Sequence, residues 1–546
     1  MKRRRSHHVP AKMESSDLMS GASETGSLTA HSNQESQFVG SSSGVYFVNT
    51  VRQAFSRDLN QSGGYASSQS GRELGFPPSE DTLVGSEDSP RDKDKQDALP
   101  PPSLAMTASP TAGDGTETLS RWRYAPAVAA QLGQAPSLAM ARDLMMAYFK
   151  VWHPLFPFLH GPTFLQAMEL LYSDDTTATV PPTASVDTRL LHTHDHRNAC
   201  WTTIFQCVFN LASLLRPDLR LPAESQIESP SSIYPLLGSL SCRHDLSSLQ
   251  ALLAAQLYLV AKMSLRTAST VGGCVLRSML HAGLHRCPFR YKELSSHDRQ
   301  LRKRIFWCAY AIDRYLSQVL GLPLGIQDSD IDVCPPGARE VHAMASPART
   351  RPSSNGSTPE DSQDQYKREV TLASYVESGK LTGRALELFH KSITVRSIRR
   401  SSVLFLTSDV HKWWNSLPRE LQSSQTTASS TEKPFNFAPF FTVLYHHLIL
   451  LINRPFLSLS PSSPEFCSAL QTCIGAARGI LTALRDQVDG RQELFWPGFL
   501  SAAWMSGLVL AFACQLRQYV LEMGYQYAVP IMLVFHFICY IRLTFA

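Results

Sequence analysis

The sequence predicts an all-α fold: a multi-helix domain preceded by a long disordered arm and interrupted by Ser/Pro-rich insertions. Three observations carry this. Apolar residues recur at three- and four-residue spacing over 138–149, 200–215, 246–265, 270–284 and 301–320, the period of a helix with one buried face. No comparable stretch alternates in the two-residue period of a half-buried strand. Residues 6–136 are rich in Ser, Gly, Thr, Pro and Asp, a composition that buries too little apolar surface to offset chain entropy.

Within that arm (1–136), residues 44–55 form one apolar island, where Val45, Phe47, Val48, Val51 and Phe55 fit one face of a short helix. The core region is read as 137–334. Its first helix, over 138–149, is broken by His153, Pro154 and Pro157, and Pro162 starts the next around 164–172. The clearest element is 301–320: Ser295 stands three residues before Asp298 in a capping-box pattern, and Gly321 then Pro323 come after its end. Its inward stripe is Ile305, Phe306, Ala309, Ile312, Leu316 and Val319. Residues 335–368 read as a disordered insertion, and 423–433 as a shorter one. Residues 369–528 form a C-terminal helical part, with helices over 439–452, 466–485 and 498–523. The apolar tail 529–546 reads as poorly docked or as an artefact of translation, because it lacks a polar exit.

Composition narrows the function. A net charge of +5 over 546 residues makes no strong polyanion-binding face unless the charge is gathered. The basic run Lys2, Arg3, Arg4 and Arg5 suits non-specific phosphate contact or nuclear import. Ser6, His7, His8 and Pro10 come next, where a secretory signal would carry its apolar stretch. The first of the 11 cysteines is Cys200, and none form a Cys-x-x-Cys pair, so they read as reduced, buried thiols of an intracellular protein.

No metal set is apparent. His192, His194, Asp195 and His196 lack one residue of the metallo-hydrolase spacing and read as a polar loop. His281 and His285 are four apart, but Ala282 stands where a zinc protease needs its Glu. No phosphate loop, nucleophile elbow or kinase set is found, so an enzyme is not expected. The segments 499–516 and 529–546 are apolar enough to raise membrane insertion as an alternative, although a span needs about 20 apolar residues.

Spaced motifs then give a family. Tyr148 and Phe149, His153-Pro154-Leu155-Phe156-Pro157-Phe158-Leu159-His160 and Pro162-Thr163-Phe164 come first. Ala282-Gly283-Leu284-His285-Arg286, Arg304-Ile305-Phe306-Trp307, Ile312-Asp313-Arg314 and Gly321-Leu322-Pro323 come next, and Arg454-Pro455-Phe456 is a weaker echo. In this order they resemble the fungal-specific transcription-factor domain, the middle homology region of binuclear zinc-cluster transcription factors. Phe38 to Phe47 is similar to a segment that lies after the zinc cluster in such proteins.

The resemblance implies a nuclear regulator of transcription by RNA polymerase II, with a regulatory, effector-responsive region. Its partners would be DNA, the transcription machinery or co-regulators, a small-molecule effector and, in a homodimer, a second copy. Zinc is implied only in a full-length member, since no cysteine precedes Cys200; none is expected in this chain. The alternatives are a cluster-less co-regulator, a membrane-associated helical adaptor and, last, a helical enzyme. His285, Arg304, Trp307, Asp313 and Arg314 are the signature residues, structural or lining an effector cleft. Asp313 interrupts an apolar stripe and must be paired, with Arg304 or Arg314, to be tolerated there.

Overall fold

The computed structural model describes residues 26–30, 36–48, 51–52, 131–172, 188–215, 217–338, 340–342, 359–391, 399–423, 435–489 and 494–519. Lys2 to Arg5, half of the central insertion (339 and 343–358) and the tail 529–546 lie outside them. The helices, in chain order, are α1 Leu138–Val151, α2 Gly161–Tyr172, α3 Thr188–Ser213, α4 Tyr234–Ser241, α5 Leu246–Ala261, α6 Leu265–His281 and α7 Ser296–Leu320. The second half adds α8 Pro359–Phe389, α9 Arg400–Ser416, α10 Arg419–Gln422, α11 Ala438–Asn453, α12 Pro464–Asp489 and α13 Gly498–Gln515.

The first half is organised around α5, which is buried on nearly every side through Leu249, Leu252, Leu253, Leu257 and Val260. A helix apolar all round belongs in a core, and α3, α6 and α7 pack about it. The second half centres on α11 and α12, with α9, α10 and α13 against them. Helix α7 packs on α8 and so joins the two halves; one apolar cluster runs from Phe47 to Ala513. Helices α12 and α13, and α11 with the turn after it, are each long and apolar enough to cross a membrane, but here Ile452, Leu481 and Phe499 are buried in the shared core.

Local sequence rules set the ends of α7. Ser295 caps its start, accepting from the Asp298 N–H at 3.0 Å while its hydroxyl donates to the Asp298 carboxylate at 2.8 Å. Gly321 ends it at φ 71°, the left-handed conformation that glycine adopts without a Cβ penalty.

Three expectations need correction. The arm contains a two-stranded ribbon, β1 Gly26–Ala30 antiparallel to β2 Ser36–Gly40, paired from Gly26 opposite Gly40 to Ala30 opposite Ser36. Sequences as short and polar as these carry too little alternation to be read as strands. The apolar island is not among these: its residues 44–48 and 51–52 are helical, with Phe47 and Val51 buried in the shared core, on the apolar face that their spacing points to. The His192–His196 run belongs to α3 rather than a loop, as 188–215 contain no Pro or Gly to stop a helix. Finally, α8 begins at Pro359, inside the stretch read as insertion, because its polar first turns show no apolar stripe.

Candidate functional site

Helix α7 presents its signature residues in two groups. Toward α8, Arg304 pairs with Glu369 at 3.4 Å, and the Lys380 ammonium lies 5.5 Å from the centre of the Trp307 ring. The Trp307 indole N–H also donates to the Cys334 carbonyl at 2.9 Å. These two residues thus share a face, as their three-residue spacing predicts.

The other pair makes a buried polar network. Arg314, 1% exposed, donates to Asp313 at 2.7 Å, to Asp328 at 2.7 Å and to the Ile326 carbonyl at 2.8 Å. Its guanidinium lies 4.1 Å from the centre of the Tyr310 ring, and the Tyr310 hydroxyl donates to Asp328 at 2.8 Å. The partner of Asp313 is therefore Arg314, not Arg304. Burial pushes the Asp313 carboxyl above its ordinary range, against the opposing pull of Arg314 and the Gly325 N–H. Burial works against the Arg314 charge as well, but Tyr310, Asp313 and Asp328 outweigh it and raise that group.

Asp313 also lines a cleft of about 170 Å3 between α5, α6, α7 and the 322–325 turn. Its floor holds Gln256, 2% exposed, whose Nε2 donates to the Ala268 carbonyl at 3.3 Å while its Oε1 has no partner. Gly272 allows this: a Cβ there would collide with the Gln256 amide, so the Gly272-Gly273 pair marks a close approach at its first member. Ser269 and Ser317 also line the cleft, the buried Ser317 hydroxyl donating to the Pro323 carbonyl at 3.1 Å. Gln256 escaped the sequence reading because it stands inside an apolar run, where only an orphaned amide betrays it.

His285 lies outside the cleft, on the loop after α6. Its backbone carbonyl accepts from the Asp332 N–H at 3.2 Å, and burial, with Arg286 beside it, lowers the ring below its ordinary pKa. His281, the other half of the four-residue pair, stacks on His244 at 4.8 Å. Of the His192–His196 run, His196 bonds the Ser248 hydroxyl at 2.8 Å and lies 3.6 Å from Asp245. These are packing and capping contacts at the start of α5.

A third grouping was not foreseen. Cys287, Cys334 and His342 bring their donor atoms within 4.8 Å of one another, with Glu340 beside Cys287 at 4.0 Å. Cys334, Glu340 and His342 are close in sequence, a signal that the 335–368 insertion reading obscured. Cys287 is distant in sequence and is brought in by the fold.

The family model of the fungal specific transcription factor domain matches residues 145–422, which spans the signature helix, the buried network and the cleft. The chain is 42% identical to the probable transcription factor FUP6 of Fusarium proliferatum, over 93% of this chain and 73% of that protein. It is 22% identical to the transcriptional activator protein acu-15 of Neurospora crassa, over 65% of this chain and 35% of that one. To activator of stress genes 1 of Saccharomyces cerevisiae it is 25% identical, over 48% and 26%. The chain thus spans about a third or less of the latter two. No solved structure matches it at a significant level. A regulator of transcription rather than an enzyme, the chain belongs to the fungal-specific transcription factor domain family.

Proposed function

We propose that this chain carries the effector-responsive regulatory region of a nuclear transcription factor acting on RNA polymerase II genes, and that the effector occupies the Gln256–Asp313 cleft. The observation that carries the reading is the unpartnered Gln256 Oε1 at the cleft floor. A buried acceptor left unsatisfied costs about 1–3 kcal/mol, which a ligand donor recovers. With the Asp313 carboxyl and the Ser269 hydroxyl in the same lining, the cleft suits a small polar molecule rich in hydrogen-bond donors, smaller than a drug-sized ligand.

The cleft has a mechanical outlet. Its 322–325 wall continues from Gly321, whose backbone touches Gly40 at the end of β2. An occupant that moves this wall moves the arm, and the arm leads toward the N-terminus, where a longer form would carry its DNA-reading zinc cluster. Contact with DNA and co-regulators is assigned to that longer form, and nuclear import to Lys2, Arg3, Arg4 and Arg5.

The test fuses the tagged chain to a heterologous DNA-binding domain lacking its own import signal and reads a reporter gene. Polar metabolites are first screened for thermal stabilisation of the purified chain. At least one should stabilise the wild type, leave Gln256→Leu unmoved and change reporter output only in the wild type. Replacing the four basic residues by Ala should abolish nuclear accumulation. A screen in which wild type and Gln256→Leu respond alike sinks the effector seat; unchanged accumulation sinks the import role.

A further inference from the structure

We propose that Cys287, Cys334, His342 and Glu340 form a structural zinc site that staples the loop after α6 to the segment after α7. This inference is independent of the effector cleft and runs against the expectation, drawn from the sequence, that this chain holds no zinc.

The donor set comes first. Two thiol sulfurs, an imidazole nitrogen and a carboxylate oxygen are a set that a tetrahedral zinc ion accepts. Zn–S bonds of about 2.3 Å and Zn–N or Zn–O bonds of about 2.0–2.2 Å place tetrahedral neighbours roughly 3.5 Å apart. The Cys334 Sγ lies 3.6 Å from the His342 Nδ1, and the Cys287 Sγ lies 4.0 Å from the Glu340 Oε2. The two sulfurs and the imidazole nitrogen lie within 4.8 Å of one another. Cys287 and Cys334 are buried and His342 is half-buried.

The surroundings hold these donors in place, as the outer partners of a metal site do. The Cys287 N–H donates to Asp332 at 2.8 Å, and Asp332 is itself paired with Arg290 at 3.0 Å. The Cys334 carbonyl accepts from the Trp307 indole. The second Glu340 oxygen is bonded to Lys303, whose side chain is buried on α7. When zinc enters, both thiols lose their protons to solvent and His342 binds as the neutral imidazole through Nδ1. Two thiolates and a carboxylate exceed the charge of the divalent ion by one, and the Lys303 ammonium matches it.

Physically, the staple closes a long loop between the end of α6 and residue 342. It would fix the 326–334 segment that supplies Asp328 and the Ile326 carbonyl to Arg314, so signature residues Trp307 and Arg314 both act on one pinned segment.

The experiment uses the full chain, purified under reducing conditions without chelator. Elemental analysis should find one zinc per chain, and X-ray absorption at the zinc edge should show two sulfur and two nitrogen or oxygen neighbours. Cobalt substituted for zinc should give the thiolate charge-transfer and d–d bands of a tetrahedral site. Cys287→Ser and Cys334→Ser should each lose the metal, while Cys467→Ser, at an exposed cysteine elsewhere, should keep it. Glu340→Gln should weaken zinc affinity on the order of 10–100-fold. A wild-type chain without zinc, one with Cys287 and Cys334 joined as a disulfide instead, or zinc with no sulfur neighbours overturns the proposal. The absorption measurement on wild type decides even if the serine variants fail to fold.

Discussion

Arg314 shows how a single side chain ties the signature helix to the 326–328 segment beyond it. It is 1% exposed and donates to two carboxylates and a backbone carbonyl. Replacing it by Ala leaves Asp313, its side chain only 12% exposed, without its counter-charge, and breaking a largely buried pair in this way costs up to about 3–5 kcal/mol. Arg314→Lys should lose most of the same stability, because one ammonium cannot reproduce the guanidinium fork. Urea unfolding checks both, and a change under about 0.5 kcal/mol for Arg314→Ala would show the network to be dispensable. The need to pair Asp313 was legible in the sequence, because a carboxylate in an apolar stripe demands a partner. The choice of Arg314 was not, since Arg304 lies on a face that α8 covers with Glu369.

At the scale of elements, the helices with a regular stripe were readable and the contacts that place them were not. The end of α7 illustrates this. Gly321 then Pro323 foretold the stop, but only the fold shows that Gly321 meets the backbone of Gly40. The arm is further fastened by Ser42, whose hydroxyl donates to the Gln318 carbonyl at 3.0 Å and whose carbonyl accepts from Arg454 at 2.6 Å. Arg454 is buried with no carboxylate among these contacts; it also reaches the Met505 sulfur and lies 5.5 Å from the centre of the Phe47 ring. Burial lowers it to about 10. A Cβ on Gly321 is disfavoured twice, by its positive φ and by Gly40. Gly321→Ala should therefore cost roughly 1–3 kcal/mol and speed proteolysis of the arm before that of the helical core. Equal stability and equal arm cleavage in limited proteolysis would show that the two glycines do not touch in solution.

Over the whole molecule, the shared core predicts one cooperative unfolding transition with a particular pH dependence. His153 beside α1 and His446 and His447 on α11 are each lowered to about 4, in every case first by burial. An unfolded His titrates near about 6.5, so between about 6.5 and 4 the unfolded chain takes up protons that the folded chain refuses. Stability from these groups is complete above about pH 6.5 and is lost as pH falls toward 4. The urea midpoint should fall across that window, and His447→Gln should flatten the slope; a midpoint constant from pH 7 to 4 contradicts the assignment.

The all-α class, the capped helix α7, the family motifs and the need to pair Asp313 could all be read along the chain alone. Each rests on periodicity, caps or local charge, which act over a few residues. The docking of β2 on the end of α7, the Gln256 carbonyl oxygen left without a donor in a cleft, and the meeting of Cys287 with Cys334 and His342 came only with the fold. Those contacts join residues distant in the chain, and they exist only because packing α5 and α11 into one core brings the loops between helices together.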